Sequence, residues 1–215
     1  MFERAPNVMK HTRREFLAAC GLLLAGCTTR VPEPLSAKAR LLPTAKPARP
    51  APSPLPALVP VVNATRALTI APSRWKIIVG HHSGIGTGNA VIYDRAHRLR
   101  GMENGLAYHF VIGNGTKSGD GEIEIGGRWL KQLQGGHVHD EQVNQVGIGI
   151  CCVGNFEETT PTPAQLQSFT ALVEYLKRDV LKTPIRFAVH REIDPGRTVC
   201  PGRYFPVAAL HARFG

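Results

Sequence analysis

The apolar positions change period along the chain, and each change predicts an element. WKIIVGHHS, residues 75–83, is a near-continuous apolar run that ends in two histidines, the pattern of a strand buried on both faces. NAVIYDRAHRLRG, residues 89–101, sets Ala90, Ile92, Tyr93, Ala96 and Leu99 at helical spacing, with Gly101 as a stop. YHFVIGNG reads as a strand closed by a turn, and GDGEIEIGGRW as a short alternating strand after it. VGIGICCVG is interrupted by glycine and apolar on both faces, which predicts a central strand. TPTPAQLQSFTALVEYLKRDVL predicts the clearest helix: Thr162 caps it, Pro163 takes the first helical position and Gln165 completes a capping box. IRFAVH is a further buried strand, and RYFPVAALHARF a short final helix. The order β-α-β-β-β-α-β-α predicts an α/β domain over residues 73–215, a mixed central sheet flanked by helices.

Before Ser73 the periodicity stops. Nine prolines fall between Pro32 and Pro60, so residues 27–72 read as an extended, semi-rigid tether. At about 3.1 Å per residue in polyproline form, some 30 residues reach roughly 90 Å. Further upstream, Arg13–Arg14 precedes an apolar stretch shorter than the ~20 residues a membrane-spanning helix needs. Residues 1–26 therefore read as an export signal. The twin arginine resembles the Tat type, with Sec export left open, and Leu24-Ala25-Gly26-Cys27 resembles a bacterial lipobox. That resemblance implies cleavage before Cys27 and lipid attached to its sulfur. Thr28, where an Asp would signal retention, implies the periplasmic face of an outer membrane.

The formal charge of +10 suggests nucleic acid until its distribution is considered. Residues 73–215 hold sixteen Lys/Arg against thirteen Asp/Glu, so the excess lies in the leader and tether. No basic run interleaved with aromatics occurs, which excludes nucleic acid as the expected partner. A basic tether suits an anionic lipid surface or wall polymer.

Candidate chemistry gathers at strand ends. The three cysteines of the domain, Cys151, Cys152 and Cys200, form no even disulfide framework, so one thiol is expected to have another task. IIVGHH and FAVH both end in histidine. If these strands are parallel neighbours, His81 or His82 emerges beside His190, and Cys200 returns to that edge after the EIDPGRTV loop. Catalytic zinc typically takes three protein ligands and keeps one open position. The competing reading is of satisfied core histidines and a buried thiol.

The ordered set IIVGHHSG, YHFVIGNG, DGEIEIGGRW, GGHVH, VGIGICCVGNF, TPAQLQSF and HREIDPGRTVCPG resembles the zinc-dependent N-acetylmuramoyl-L-alanine amidases of the peptidoglycan recognition protein type, from residue 75 to about 206. The resemblance implies that fold, one zinc ion, and His81, His190 and Cys200 as its ligands. It implies hydrolysis of the amide between N-acetylmuramic acid and L-alanine, with peptidoglycan or muropeptides as partner. Tyr108 matches the family's catalytic tyrosine, and Thr198 a position that holds threonine or lysine. His137 matches a histidine by the cleft and is expected to contact substrate; Arg128 is expected to line the glycan groove. Relatives that recycle anhydro-muropeptides carry a glutamate where this chain has Cys151, which points to the tyrosine-type arrangement. The alternatives are a non-catalytic wall-binding module and a zinc hydrolase of another amide. The sequence is silent on oligomeric state.

Overall fold

The structure, a computed structural model, describes residues 55–215. The expected export signal of residues 1–26, the expected lipid-attachment residue Cys27 and residues 28–54 of the proline-rich stretch lie outside the described residues. Five strands form one sheet in the order β3-β2-β4-β1-β5. They are β1 (Ile77–His82), β2 (Phe110–Ile112), β3 (Ile123–Ile125), β4 (Gly147–Cys152) and β5 (Arg186–Val189). β1 runs parallel to both β4 and β5, and β2 parallel to β4; only β3 is antiparallel, on the edge beside β2. Every residue of β1 and β4 is buried, as expected of central parallel strands covered on both faces.

Alternation along these strands divides the core. Ile78, Phe110, Ile112, Ile148, Ile150 and Phe187 face one side, where they meet Trp75, Trp129 and Phe169. The opposite face holds two smaller groups, Val111 with Cys151, Tyr93 and Leu106, and Ile77 with Val79, Val138 and Ala188. The smaller groups leave room at the strand ends, and that room becomes the site.

Helix α1 (Val59–Arg66) corrects the expected domain start. Residues 55–72 were assigned to the tether, yet Leu58 and Val61 are buried in the main core and Leu68 and Ile70 pack against it. The Trp129 indole N–H donates to Thr65 Oγ1 at 3.0 Å. Proline misleads here because Pro56 and Pro60 sit at helix starts, where the missing N–H costs nothing. Residues 55–72 therefore belong to the same unit as the sheet.

Helix α2 (Ala90–Leu99) forms where its spacing predicts, but only Tyr93 is buried; Val91 and Leu99 stand 74% and 82% exposed. Its cover is the small Cys151 group, which one aromatic ring satisfies. Short helices α3 (Gly127–Leu130) and α4 (Glu141–Val146) precede β4. Helix α5 (Pro163–Tyr175) has the predicted capping box: Gln165 N donates to Thr162 Oγ1 at 3.0 Å, and Thr162 N to Gln165 Oε1 at 3.1 Å. It buries Phe169, Leu172 and Val173 on the sheet. Gly80 permits this approach, since a Cβ there would lie 3.1 Å from the Phe169 ring. Helices α6 (His190–Ile193) and α7 (Val207–Phe214) complete the chain.

Candidate metal centre

Register brings the histidines together. Gly80 of β1 lies opposite Val189 of β5, so His81 and His190 leave the same sheet end side by side. Their ring centroids are 4.7 Å apart. After α6 the chain turns and the Cys200 carbonyl accepts from Arg191 N at 2.8 Å, which carries the thiol back over the histidines. One ligand atom from each of His81, His190 and Cys200 lies within 4.8 Å of the others. Cys200 Sγ is 3.8 Å from His81 Nδ1. A tetrahedral zinc with Zn–S near 2.3 Å and Zn–N near 2.0 Å would separate sulfur and nitrogen by about 3.6 Å. The donor set and its spacing therefore fit a zinc ion with one position left open.

Electrostatics agree with that fit. Burial, with the neighbouring His137, His190 and His82 adding to it, holds His81 well below the usual histidine range, so its ring is neutral. His190 is lowered by burial and partly restored by Asp194. Burial pushes the Cys200 thiol up to about 12, opposed by the His82 N–H, which donates to Sγ at 3.3 Å. A thiol this reluctant needs a bound cation to become thiolate at neutral pH, and metal coordination deprotonates it outright.

Asp194 was not singled out in the sequence. It is buried, lies 2.9 Å from His190 Nε2 and accepts from His139 N at 2.6 Å. Burial works to raise its carboxyl, but these donors outweigh it and keep it below the usual range. A carboxylate can only accept, so the His190 proton sits on Nε2 and Nδ1 is left for a metal. The signal was present as an i,i+4 spacing in HREID, which puts both side chains on one helix face.

Tyr108 lies beside the centre, its ring centroid 5.2 Å from that of His81. Burial and the nearby Cys151 and Cys200 thiols hold its hydroxyl well above the usual tyrosine range, so it stays a donor at neutral pH. Thr198 Oγ1 accepts from Cys200 N at 3.1 Å, which leaves its own proton free. Thr198 lines a groove of about 660 Å³ with Met102, His139, His190 and Arg197.

The two expected substrate contacts, Arg128 and His137, are both largely buried. The Arg128 guanidinium is buried: Nε donates to Leu106 O at 2.6 Å and Nη1 to the carbonyls of Gln134 and Gly135, so it joins loops instead of lining the groove. His137 is also buried, with Nδ1 3.1 Å from His81 Nε2 and Nε2 3.3 Å from Gly147 O. Both ring nitrogens have partners inside the protein, while the residue also lines the groove with Thr198. His139, its partner in the H-x-H spacing, is exposed. His82 accepts from Phe156 N at 3.1 Å through Nδ1 and anchors that loop. Cys151 lies opposite His81 in the register and packs as a buried free thiol beside Tyr108, so the acidic position of the recycling enzymes carries no carboxylate here.

The comparisons with known proteins agree with this fold. Mus musculus peptidoglycan recognition protein 3 is 33% identical over 69 residues, which make up 32% of this chain and 17% of that protein. The matched region thus spans a small part of that relative's length. N-acetylmuramoyl-L-alanine amidase LysC from Clostridium intestinale URNW superposes with a TM-score of 0.55 at 31% identity, over 68% of this chain and 90% of that one. Bumblebee PGRP-SA, at 22% identity and a TM-score of 0.52 over 66% of this chain and 81% of its own, shows the likeness of fold. The profile described as N-acetylmuramoyl-L-alanine amidase matches residues 71–203, the stretch that carries every strand of the sheet and all three candidate ligands, and the chain belongs to that family.

Proposed function

We propose that the protein is an exported, lipid-anchored zinc hydrolase that cleaves the amide between N-acetylmuramic acid and L-alanine in peptidoglycan. The observation that carries this reading is the His81, His190 and Cys200 group, which shares His190 with the Thr198 groove. Zinc bound there supplies a Lewis acid for the scissile carbonyl and lowers the pKa of a water toward about 7.

The chain's own residues supply the rest. Asp194 holds His190 in one tautomer and balances the charge of the ligand set. Tyr108, kept protonated, donates to the oxygen that gains negative charge as the carbonyl becomes tetrahedral. The free hydroxyl proton of Thr198 serves the same oxygen from the groove wall. The exposed Arg197 guanidinium at the groove rim suits a carboxylate of the stem peptide. The Tat-like signal, the lipobox at Cys27 and the proline-rich stretch support an envelope location, anchored at the periplasmic face of an outer membrane.

The test is mass spectrometry of soluble products from purified peptidoglycan treated with wild type, Cys200→Ala and a chelated wild-type sample. Free peptides beginning with L-alanine, released only by metal-loaded wild type, are the expected result. Wall binding without any product would replace this reading with that of a binding module.

A further inference from the structure

We propose that His137 is a positioning residue of the metal centre: its Nδ1 accepts the Nε2–H of His81 and so turns the His81 Nδ1 lone pair toward Cys200. The inference rests on the metal-centre reading above. It assigns to His137 a task that neither the groove nor the ligand set requires by itself.

The proton positions follow from one fixed point. The Gly147 carbonyl oxygen can only accept, so His137 Nε2, 3.3 Å away, carries that ring's proton. Nδ1 of the neutral ring is then bare. His81 Nε2 faces it at 3.1 Å and must be the donor. The single proton of His81 is thereby placed on Nε2, and Nδ1 is left bare 3.8 Å from Cys200 Sγ. Both rings are buried, and a single proton fills the contact between them.

The surrounding chain is shaped to the His137 ring. A Cβ on Gly149 would lie 2.4 Å from its Cδ2, and one on Gly135 would lie 2.5 Å from the same atom. Asn144 Oδ1 accepts from the backbone N–H groups of His137 and Val138 at 3.0 and 3.2 Å, which fixes the loop that delivers the ring. Glycine in a strand interior weakens the strand. At Gly149 it makes room for an imidazole, which gives a physical reason for the glycine interruption of β4. The two ligand histidines are thus held by different means, His190 by a carboxylate and His81 by a neutral ring anchored to the backbone.

The experiment uses the full-length protein as wild type, His137→Ala, His137→Gln and Gly149→Ala. Zinc affinity is read by competition with a chromophoric chelator. The His81 tautomer is read from long-range proton–nitrogen spectra of the metal-free protein, and folding from near-UV circular dichroism. Wild type is expected to carry the His81 proton on Nε2. His137→Ala should lose about 10- to 100-fold in zinc affinity and show a mixed His81 tautomer. His137→Gln should recover most of the affinity, because its amide oxygen can accept from His81 while its amide nitrogen donates to Gly147 O. Gly149→Ala keeps every ligand yet should lose affinity and tautomer purity by crowding the ring. Wild-type affinity and tautomer in a folded His137→Ala would overturn the assignment. If that variant does not fold, unchanged values in Gly149→Ala overturn it. A wild type that binds no zinc instead removes the metal-centre reading itself.

Discussion

At the scale of single residues, the grouping of the candidate ligands was legible because apolar strand patterns end in them. IIVGHH and FAVH each carry an apolar run into a histidine, and parallel register does the rest. What was not legible was direction. Nothing in GGHVH says that His137 turns inward while His139 stays outside, because the slot is built by Gly135 and by Gly149 on a distant strand. Asp194 was missed because an acidic residue in a Pro/Gly turn ordinarily reads as solvated. Its burial makes a sharp prediction. Asp194→Asn keeps an acceptor for His190 and His139 but removes the charge, so the fold should persist while zinc affinity falls about 10- to 100-fold. Chelator competition checks this, with circular dichroism as the control for folding. Tyr108→Phe should behave in the opposite way. Zinc affinity should hold, while kcat for peptide release falls about 10²- to 10³-fold, the usual effect of losing one donor to a developing oxyanion. Loss of zinc binding in Tyr108→Phe would reassign Tyr108 to support of the metal centre.

At the scale of elements, propensity and capping chemistry read well and burial read poorly. The α5 start was visible to the residue because Thr162, Pro163 and Gln165 each satisfy a local requirement that no tertiary contact alters. Thr162 also donates to Asp120 Oδ1 at 2.5 Å, which joins the helix start to the loop before β3. Thr162→Ala should therefore cost about 0.5–2 kcal/mol, the range for lost N-caps. Urea unfolding, with an unchanged m-value, measures it. In α2 the spacing predicted a helix correctly but overstated what it covers, since Val91 and Leu99 are exposed among the described residues. For α1 the error ran the other way. Proline density hid a helix whose Thr65 satisfies the buried Trp129 indole. Thr65→Val should leave that N–H without a partner and destabilise by about 1–3 kcal/mol, more than surface substitutions on the same helix.

At the scale of the whole molecule, His82 and three more deeply buried imidazoles lie inside one small domain. His81, His109 and His137 are each held below the ordinary histidine range, with burial the leading cause in every case. His109 makes the point apart from any metal. Gly149 N donates to its Nδ1 at 3.1 Å, so Nε2 carries the proton toward Leu133 O, also at 3.1 Å, and the ring joins two elements as a neutral group. On unfolding, these rings return to a pKa near 6.5 and take up protons below it. The unfolded state then binds more protons than the folded one, so stability is complete above about pH 6.5 and is lost as pH falls below it. Each histidine contributes a slope of at most about 1.4 kcal/mol per pH unit. The partnered carboxyls Asp94 and Asp194 have the same sign, but they are already held low and act only in the acidic carboxylate range. Between pH 6.5 and pH 5 the histidines lead, opposed by the half-buried Glu124, whose carboxyl burial raises. Urea midpoints of the metal-free protein should be level from pH 8 to 7 and decline steadily from 6.5 to 5. The metal-loaded protein should decline more steeply, because His81 and His190 must be neutral to bind. A flat profile across that interval would mean that these rings are protonated in the folded protein, which the acceptor roles of His109 Nδ1 and His137 Nδ1 forbid.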